Sequence, residues 1–199
     1  MEPLRLFFDF LNKYISLSQE EFDTLITPHI QLRKFKKKEM ITVAGEVERY
    51  LNFVVQGLAR KFFRNGNDEL ITQISMEGHI IHAQGSFHRQ KPSYYFVEAI
   101  EQTSLISIEF EALNRVFSSS AKMERMGRLV VTDIMVLSDH WQMMLLKMSP
   151  RERFLDFVQR NPELMQRTPQ KYLASLLNIQ PETFSRFKHL LKGPRKGED

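Results

Sequence analysis

The sequence contains no cysteine, which excludes a disulfide framework, a thiolate zinc site, an iron–sulfur cluster and a cysteine nucleophile. Tryptophan is nearly absent: there is 1 Trp against 5 Tyr and 16 Phe, so the core is expected to be rich in phenylalanine. No apolar run approaches the roughly 18 residues needed to span a bilayer. Met1–Phe10 carries acidic residues within its apolar stretch and lacks a small-residue cleavage site, so it does not read as a signal peptide. Together these absences point to a cytoplasmic chain without a membrane partner. What remains is ordinary globular composition, 199 residues with 42% hydrophobic and 26% charged, enough for one or two compact domains.

The net charge of +4 is unevenly placed. Residues 150–199 hold ten Lys/Arg and six Asp/Glu, while the first 149 residues hold eighteen of each. A neutral body carrying a basic C-terminal module suits a polyanionic partner, although a solvated basic tail would show the same excess.

Hydrophobic spacing divides the chain. Leu4, Phe7, Phe8, Leu11 and Ile15 mark a short amphipathic helix, and a second is expected from Gln19 to Ile26 with Ser18 as N-cap. From about residue 30 to 108 the pattern becomes short and alternating, at 31–36, 41–44, 50–55, 58–64, 69–76, 94–100 and 104–109. Asn65-Gly66 between two extended runs predicts a hairpin of type I′, whose two central residues need positive φ. These strands predict a small antiparallel barrel or jelly roll. Apolar residues then fall at 123, 126, 130, 134, 137, 141, 144 and 148, a near-heptad stripe on a helix roughly 40 Å long. Its two natural partners are its own barrel and the same helix of a second copy, and its length favours the dimer. Arg151–Arg160 follows as a further helix.

The informative segment is 168–191. Thr168 can cap a helix whose first residue is Pro169, with Leu173, Leu176 and Leu177 on its apolar face. Ala174 permits a close crossing, and Asn178 stands where the chain must turn in left-handed geometry. Pro181 opens a second helix whose Phe184, Phe187, Leu190 and Leu191 face inward. This pattern is a helix-turn-helix. Its outward residues Glu182, Thr183, Ser185, Arg186, Lys188 and His189, with Gln170 and Lys171 at the start of the first helix, are the side-chain types that base edges and phosphates require. An αα-hairpin with a merely solvated face is the plainer reading, and the Asn turn, the small crossing residue and the basic exterior together favour DNA.

The chain resembles the Crp/Fnr family of bacterial transcription regulators. The most specific match is Pro181-Glu182-Thr183-Phe184-Ser185-Arg186, which is similar to the recognition-helix opening Arg-Glu-Thr-Val-x-Arg; Gly45-Glu46 and Phe53–Gly57 are similar to the family's β-roll turns and strands. The resemblance implies an α+β fold: an antiparallel, cyclic-nucleotide-binding-like β-roll over 1–118, a long dimerisation helix over 119–148 and a helix-turn-helix domain over 149–199. It also implies that Glu182 and Arg186 read bases, that Thr183 contacts phosphate, and that a homodimer reads a palindromic site and contacts RNA polymerase. Pro181 departs from the pattern, standing where many members carry a base-reading Arg. The effector pocket departs further. Family members that hold cyclic AMP use a Gly-Glu pair and an Arg-Ser or Arg-Thr pair, where this chain has His82-Ala83 and Ser93-Tyr94. A cyclic phosphate needs a cation and its ribose a carboxylate, so the effector is expected to be something other than cyclic AMP, and no cofactor is assigned. Only five residues follow Gly193-Pro194, which predicts no C-terminal wing and salt-sensitive phosphate contacts from Lys192, Arg195 and Lys196.

His79, His82 and His88 cluster in one loop, which is read as polar surface rather than a metal site. Tyr94, Tyr95 and Phe96 fit either an aromatic pocket or the barrel core. No nucleophile–base pair, phosphate loop or metal motif marks an enzyme. The alternative to a regulator is a ligand-binding or protein-interaction module whose helix-turn-helix does not touch DNA.

Overall fold

A computed structural model describes residues 2–190, with side chains over 3–188. Two compact units are present, Met1–Val136 and Leu137–Asp199. The division falls inside the long helix rather than at either of its ends.

The first unit begins with α1 (Glu2–Asn12) and α2 (Gln19–Glu21), the latter running on as a π turn over Phe22–Ile26 and a 3-10 turn over Thr27–His29. Ser18 caps α2 as expected. Its hydroxyl accepts from the Glu21 amide at 3.1 Å, and the Glu21 carboxylate accepts from the Ser18 amide at 2.8 Å, which satisfies two orphan donors reciprocally.

Eight strands follow: β1 (Ile30–Phe35), β2 (Met40–Thr42), β3 (Tyr50–Gln56), β4 (Ala59–Asn65), β5 (Asp68–Ser75), β6 (Ile80–Ile81), β7 (Phe96–Ala99) and β8 (Thr103–Glu109). They form two antiparallel four-stranded sheets, β1-β8-β3-β6 and β2-β7-β4-β5. This is the jelly-roll class the alternation predicts. Several elements escape the sequence reading, among them the helices Phe110–Ser118 and Pro162–Arg167 and two more elements in the roll. β6 has only two residues, and α3 (Gln84–Arg89) contains Gly85 and Ser86 and lacks a side-chain N-cap, so neither shows periodicity.

The hairpin is present but its turn is different. Asn65 pairs with Asp68, leaving Gly66 and Asn67 as the loop, and only Gly66 has positive φ (60°). A type I′ turn needs two such residues. Gly57 carries a stricter constraint, because its φ is +94° and an added Cβ would lie 2.4 Å from the Gln102 carbonyl oxygen. Gly57→Ala is expected to destabilise the roll by about 1–3 kcal/mol, from backbone strain alone, as read by urea denaturation.

The Phe-rich core is real. Phe7 of α1 lies 4.9 Å from Phe53 of β3, ring to ring, and Phe10 lies 5.0 Å from the same ring. Phe87 of α3 meets Phe110 at 5.3 Å. The roll is closed by α4 (Phe110–Ser118) and the start of α5 (Ala121–Lys147), whose Met123 and Met126 are buried in the same cluster. Lys122 bridges to Glu21 at 2.6 Å, and the Tyr14 hydroxyl donates to Asp133 at 2.7 Å.

The stripe along α5 is only partly free. Met123, Met126, Val130 and Met144 are buried, whereas Val131, Met135, Val136, Leu137, Met143 and Leu146 are exposed. The uncovered apolar surface therefore lies mostly beside the stripe read from spacing and shares Leu137 with it, because spacing ignores what each unit consumes for itself. By length and composition α5 is also apolar enough to cross a membrane, which uninterrupted runs did not suggest. Asp133 and Asp139 stand within it.

The second unit holds α6 (Pro150–Arg160), α7 (Pro162–Arg167), α8 (Gln170–Leu176) and α9 (Pro181–Leu190). Phe154 of α6 and Phe184 of α9 are fully buried and meet edge to face at 5.0 Å.

Candidate nucleic-acid interface and effector pocket

The turn between α8 and α9 is built from backbone hydrogen bonds. Asn178 has φ +51°. Its amide donates to the Ser175 carbonyl at 3.0 Å, and the Ile179 amide reaches back to Ala174 at 2.9 Å. These are the two bonds of a Schellman ending, with Asn in the left-handed position and Ile179 buried beyond it. Ala174 is fully buried, as a close crossing requires. The start of α8 is not as expected. Pro169 rather than Thr168 occupies the N-cap position, and no side chain caps the helix. Thr168 Oγ1 is buried without a hydrogen-bond partner among the described residues.

Arg153 has a role that the sequence reading missed. Its side chain is buried, with Nη1 donating to the carbonyls of Leu145 (3.1 Å) and Met148 (2.7 Å) at the end of α5. Nε donates to Leu177 (2.9 Å), and Nη2 to Asn178 (3.1 Å). One guanidinium thus joins the end of the long helix to the carbonyls of the helix-turn-helix turn. It is not available to a polyanion. Arg160 and Arg167 are also engaged, with Asp156 (2.7 Å) and Glu163 (2.5 Å), so the basic excess of this region overstates its free cations.

On α9, Glu182, Ser185 and Arg186 are exposed, and Thr183 and Lys188 are partly covered. Arg186 Nη2 donates to Thr183 Oγ1 at 3.1 Å, which orients the guanidinium along the outer face. At about 100° per residue, Glu182 and Arg186 share one face while Lys188 lies about 200° from Arg186. Lys188 is therefore a flank residue, not part of the Glu182/Arg186 face. Gln170 and Lys171 are exposed at the start of α8. Phe187 is partly buried against Phe154 at 5.6 Å. The side chains of His189 and Leu190, and Leu191, Lys192, Arg195 and Lys196, lie outside the described residues.

In the roll, the four positions read as a degenerate pocket separate. His82, Ala83 and Ser93 are buried, but Tyr94 is 87% exposed. The Ser93 hydroxyl is used locally, accepting from the Tyr95 amide and donating to its carbonyl, both at 2.9 Å. Tyr95 packs on Phe63 at 6.0 Å and Phe96 on Phe62 at 5.2 Å, so these aromatics belong to the roll's packing. Arg89 and Lys91 are exposed.

Buried polar groups occur where the sequence reading placed none. Glu48 accepts from Thr42 and from the amides of Tyr50 (3.1 Å) and Ala83 (3.4 Å), and burial pushes its carboxyl up. Arg60 is buried between Glu98 (3.0 Å) and Glu69 (2.6 Å). Burial lowers the Lys61 amine to about 8. Strand alternation locates such residues, but it does not say which of the two faces is inside.

The three histidines do not converge. His79 is exposed and bonds to the carbonyls of Met76 and Glu77, while the His82 and His88 rings lie 5.9 Å apart. No metal-binding group occurs among the described residues.

Burial, with the Lys61 amine and His88 adding to it, lowers His82 to about 3. The unfolded chain then takes this proton more readily, so the contribution to stability is full above about pH 6.5 and is lost as pH falls toward 3. Between pH 7 and 5, wild type is expected to lose up to about 1.4 kcal/mol per pH unit more than His82→Leu. Urea denaturation at both pH values checks this. Identical pH dependence in the two proteins would contradict it.

Residues 32–120 match the cyclic nucleotide-binding domain family. No curated protein matches the chain. Solved structures similar to it include FixK2 from Bradyrhizobium japonicum (16% identity, TM-score 0.68, covering 85% of this chain and 89% of that one). The c-di-GMP-responsive global regulator CLP of Xanthomonas campestris is similar at 15% identity and TM-score 0.67, covering 87% and 92%. The Thermus thermophilus catabolite activator protein follows at 19% and 0.56, covering 96% and 86%. Residues 32–120 thus carry the likeness to a cyclic nucleotide-binding domain, and the chain shares its fold with FixK2, CLP and the Thermus thermophilus catabolite activator protein.

Proposed function

We propose that this chain is a DNA-binding transcription regulator of the Crp/Fnr type rather than an enzyme. Residues 1–118 serve as sensor, 119–148 as dimerisation helix and 149–199 as DNA-binding domain. The observation that carries this reading is the Asn178 turn, which sets α8 and α9 as a helix-turn-helix with Glu182 and Arg186 exposed together on one face. Arg186 grips a guanine edge, Glu182 accepts from a cytosine amino group, and Thr183, Ser185, Lys188, His189, Gln170 and Lys171 hold the flanks and phosphates. Two copies pair through α5 and read a palindrome whose half-sites lie about 34–36 Å apart. The global regulator CLP shares this fold, which supports the reading. The cytoplasm is its place of work and RNA polymerase a further partner.

The effector is not cyclic AMP on this reading, because neither His82-Ala83 nor Ser93-Tyr94 supplies a cation or carboxylate. The test is fluorescence anisotropy with promoter DNA. Arg186→Ala is expected to weaken specific binding about 5- to 150-fold, the equivalent of about 1–3 kcal/mol. No binding by wild type at low salt would instead indicate a ligand-binding or protein-interaction module.

A further inference from the structure

A cleft of about 390 Å³ opens where β8 passes into α4, lined by Val47, Arg49, Gln90, Glu109, Phe110 and Glu111. It lies on the outside of the roll: Arg49, Gln90, Glu109 and Glu111 are exposed, while Val47 and Phe110 are partly covered. Hydrogen bonds and a ring contact hold its walls. The Phe110 amide donates to the Arg49 carbonyl at 3.0 Å, the Glu48 amide donates to the Ser86 hydroxyl at 2.9 Å, and the Phe110 ring rests against Phe87. Gln90 ends α3 with φ +50°, a conformation that a side chain other than glycine keeps where its surroundings fix it. Its Nε2 donates to the Phe87 carbonyl at 2.6 Å. The cleft is thus preformed, and its size lies within the range of small-molecule sites.

Three charges line it and none is paired. Arg49, Glu109 and Glu111 make no side-chain hydrogen bond or ion pair among the described residues, although opposite signs share one small cleft. Glu109 holds the N-cap position of α4, yet its carboxylate caps nothing. Two anions and one cation over an apolar floor define a complement: two cations and one anion joined by a short apolar stem. A basic α-amino acid carries that set. Its carboxylate suits the planar fork of a guanidinium, its two cations suit the two carboxylates, and its methylene chain suits the floor of Val47 and Phe110.

We propose that this cleft binds a basic α-amino acid of the arginine or lysine type, with Arg49 taking the carboxylate and Glu109 and Glu111 the two cationic groups. The proposal goes beyond the DNA-binding reading and does not use the interior of the roll. The competing account is a solvated surface on which Glu109 and Glu111 only complement the dipole of α4.

Isothermal titration of the full-length protein at fixed ionic strength separates these accounts, with arginine, lysine, norleucine and agmatine as probes. Norleucine keeps the ammonium and carboxylate but lacks the side-chain cation. Agmatine keeps both cations but lacks the carboxylate. Arginine and lysine should bind saturably, and each truncated probe should bind about tenfold or more weakly, the share of one charge-assisted hydrogen bond. Arg49→Gln should erase the difference between arginine and agmatine, and Glu109→Gln and Glu111→Gln should shrink that between lysine and norleucine. These residues are exposed, so the variants are expected to keep their fold, which circular dichroism checks. No saturable heat at millimolar arginine or lysine, equal affinity for all four probes, or binding that the variants leave unchanged overturns the proposal. The titration contains no DNA, so its failure leaves the DNA-binding reading intact, and a failed DNA assay leaves this site to stand or fall on the titration.

Discussion

Replacing Arg153 with alanine is expected to destabilise the C-terminal unit by about 3 kcal/mol or more and to abolish DNA binding, although the residue touches no DNA on the proposed reading. Four carbonyls on two elements depend on this one guanidinium. Hydrogen bonds to a charged donor contribute about 1.5–3 kcal/mol each, and the buried acceptors lose their partners together. Lysine does not rescue the change, since an ammonium lacks the planar fork that reaches both the α5 terminus and the α8–α9 turn. Hydrogen exchange on α8 and α9 reads the effect directly. Protection should fall there while β3 and β8, in the other unit, keep theirs. Unchanged protection in α8 and α9 would show that the four bonds are incidental.

The second large effect concerns α5. Met135 is 66% exposed and Leu146 89% exposed, and an exposed substitution normally moves stability by no more than about 0.5 kcal/mol. Met135→Glu should therefore leave the fold and its circular dichroism unchanged while converting a dimer into a monomer, because a carboxylate in the seam would be buried without a partner. Losing one half-site forfeits at least one bidentate base contact, so DNA affinity should fall by about 5- to 150-fold. Sedimentation velocity reports the oligomeric state without reference to DNA. A wild-type protein that sediments as a monomer at micromolar concentration would remove the dimer from the account.

Much of this was legible in the amino-acid order because local rules sufficed. The β-roll follows from alternation, Ser18 from the preference for serine at the N-cap, and the Asn178 turn from the few residues that accept left-handed geometry. The remainder depended on which surface each residue meets. The Thr168 cap failed because Pro169 takes that position in the chain path. Tyr94 is a neighbour of Ser93 in sequence, but it sits in the bend before β7 and faces outward. Arg153 enters the sequence analysis only as one of the ten basic residues of its segment and is instead an internal hub. Lys61 sits in Arg60-Lys61-Phe62-Phe63-Arg64, where nothing in the spacing distinguishes the charge that faces the core from those that do not. The α5 stripe shows the same limit, since periodicity counts apolar residues without knowing which of them its own unit has already covered.

The whole account depends on whether α9 enters a duplex. Selection of double-stranded sites from a random pool by the full-length protein at low salt tests it most directly. Enrichment of two half-sites related by a dyad, with centres about 10 base pairs apart, is the result expected, and Arg186→Ala should relax preference at one symmetric pair of positions. A pool that emerges with no sequence enriched, from protein shown to be folded, would contradict the assignment and leave a sensor fold without a reader of DNA.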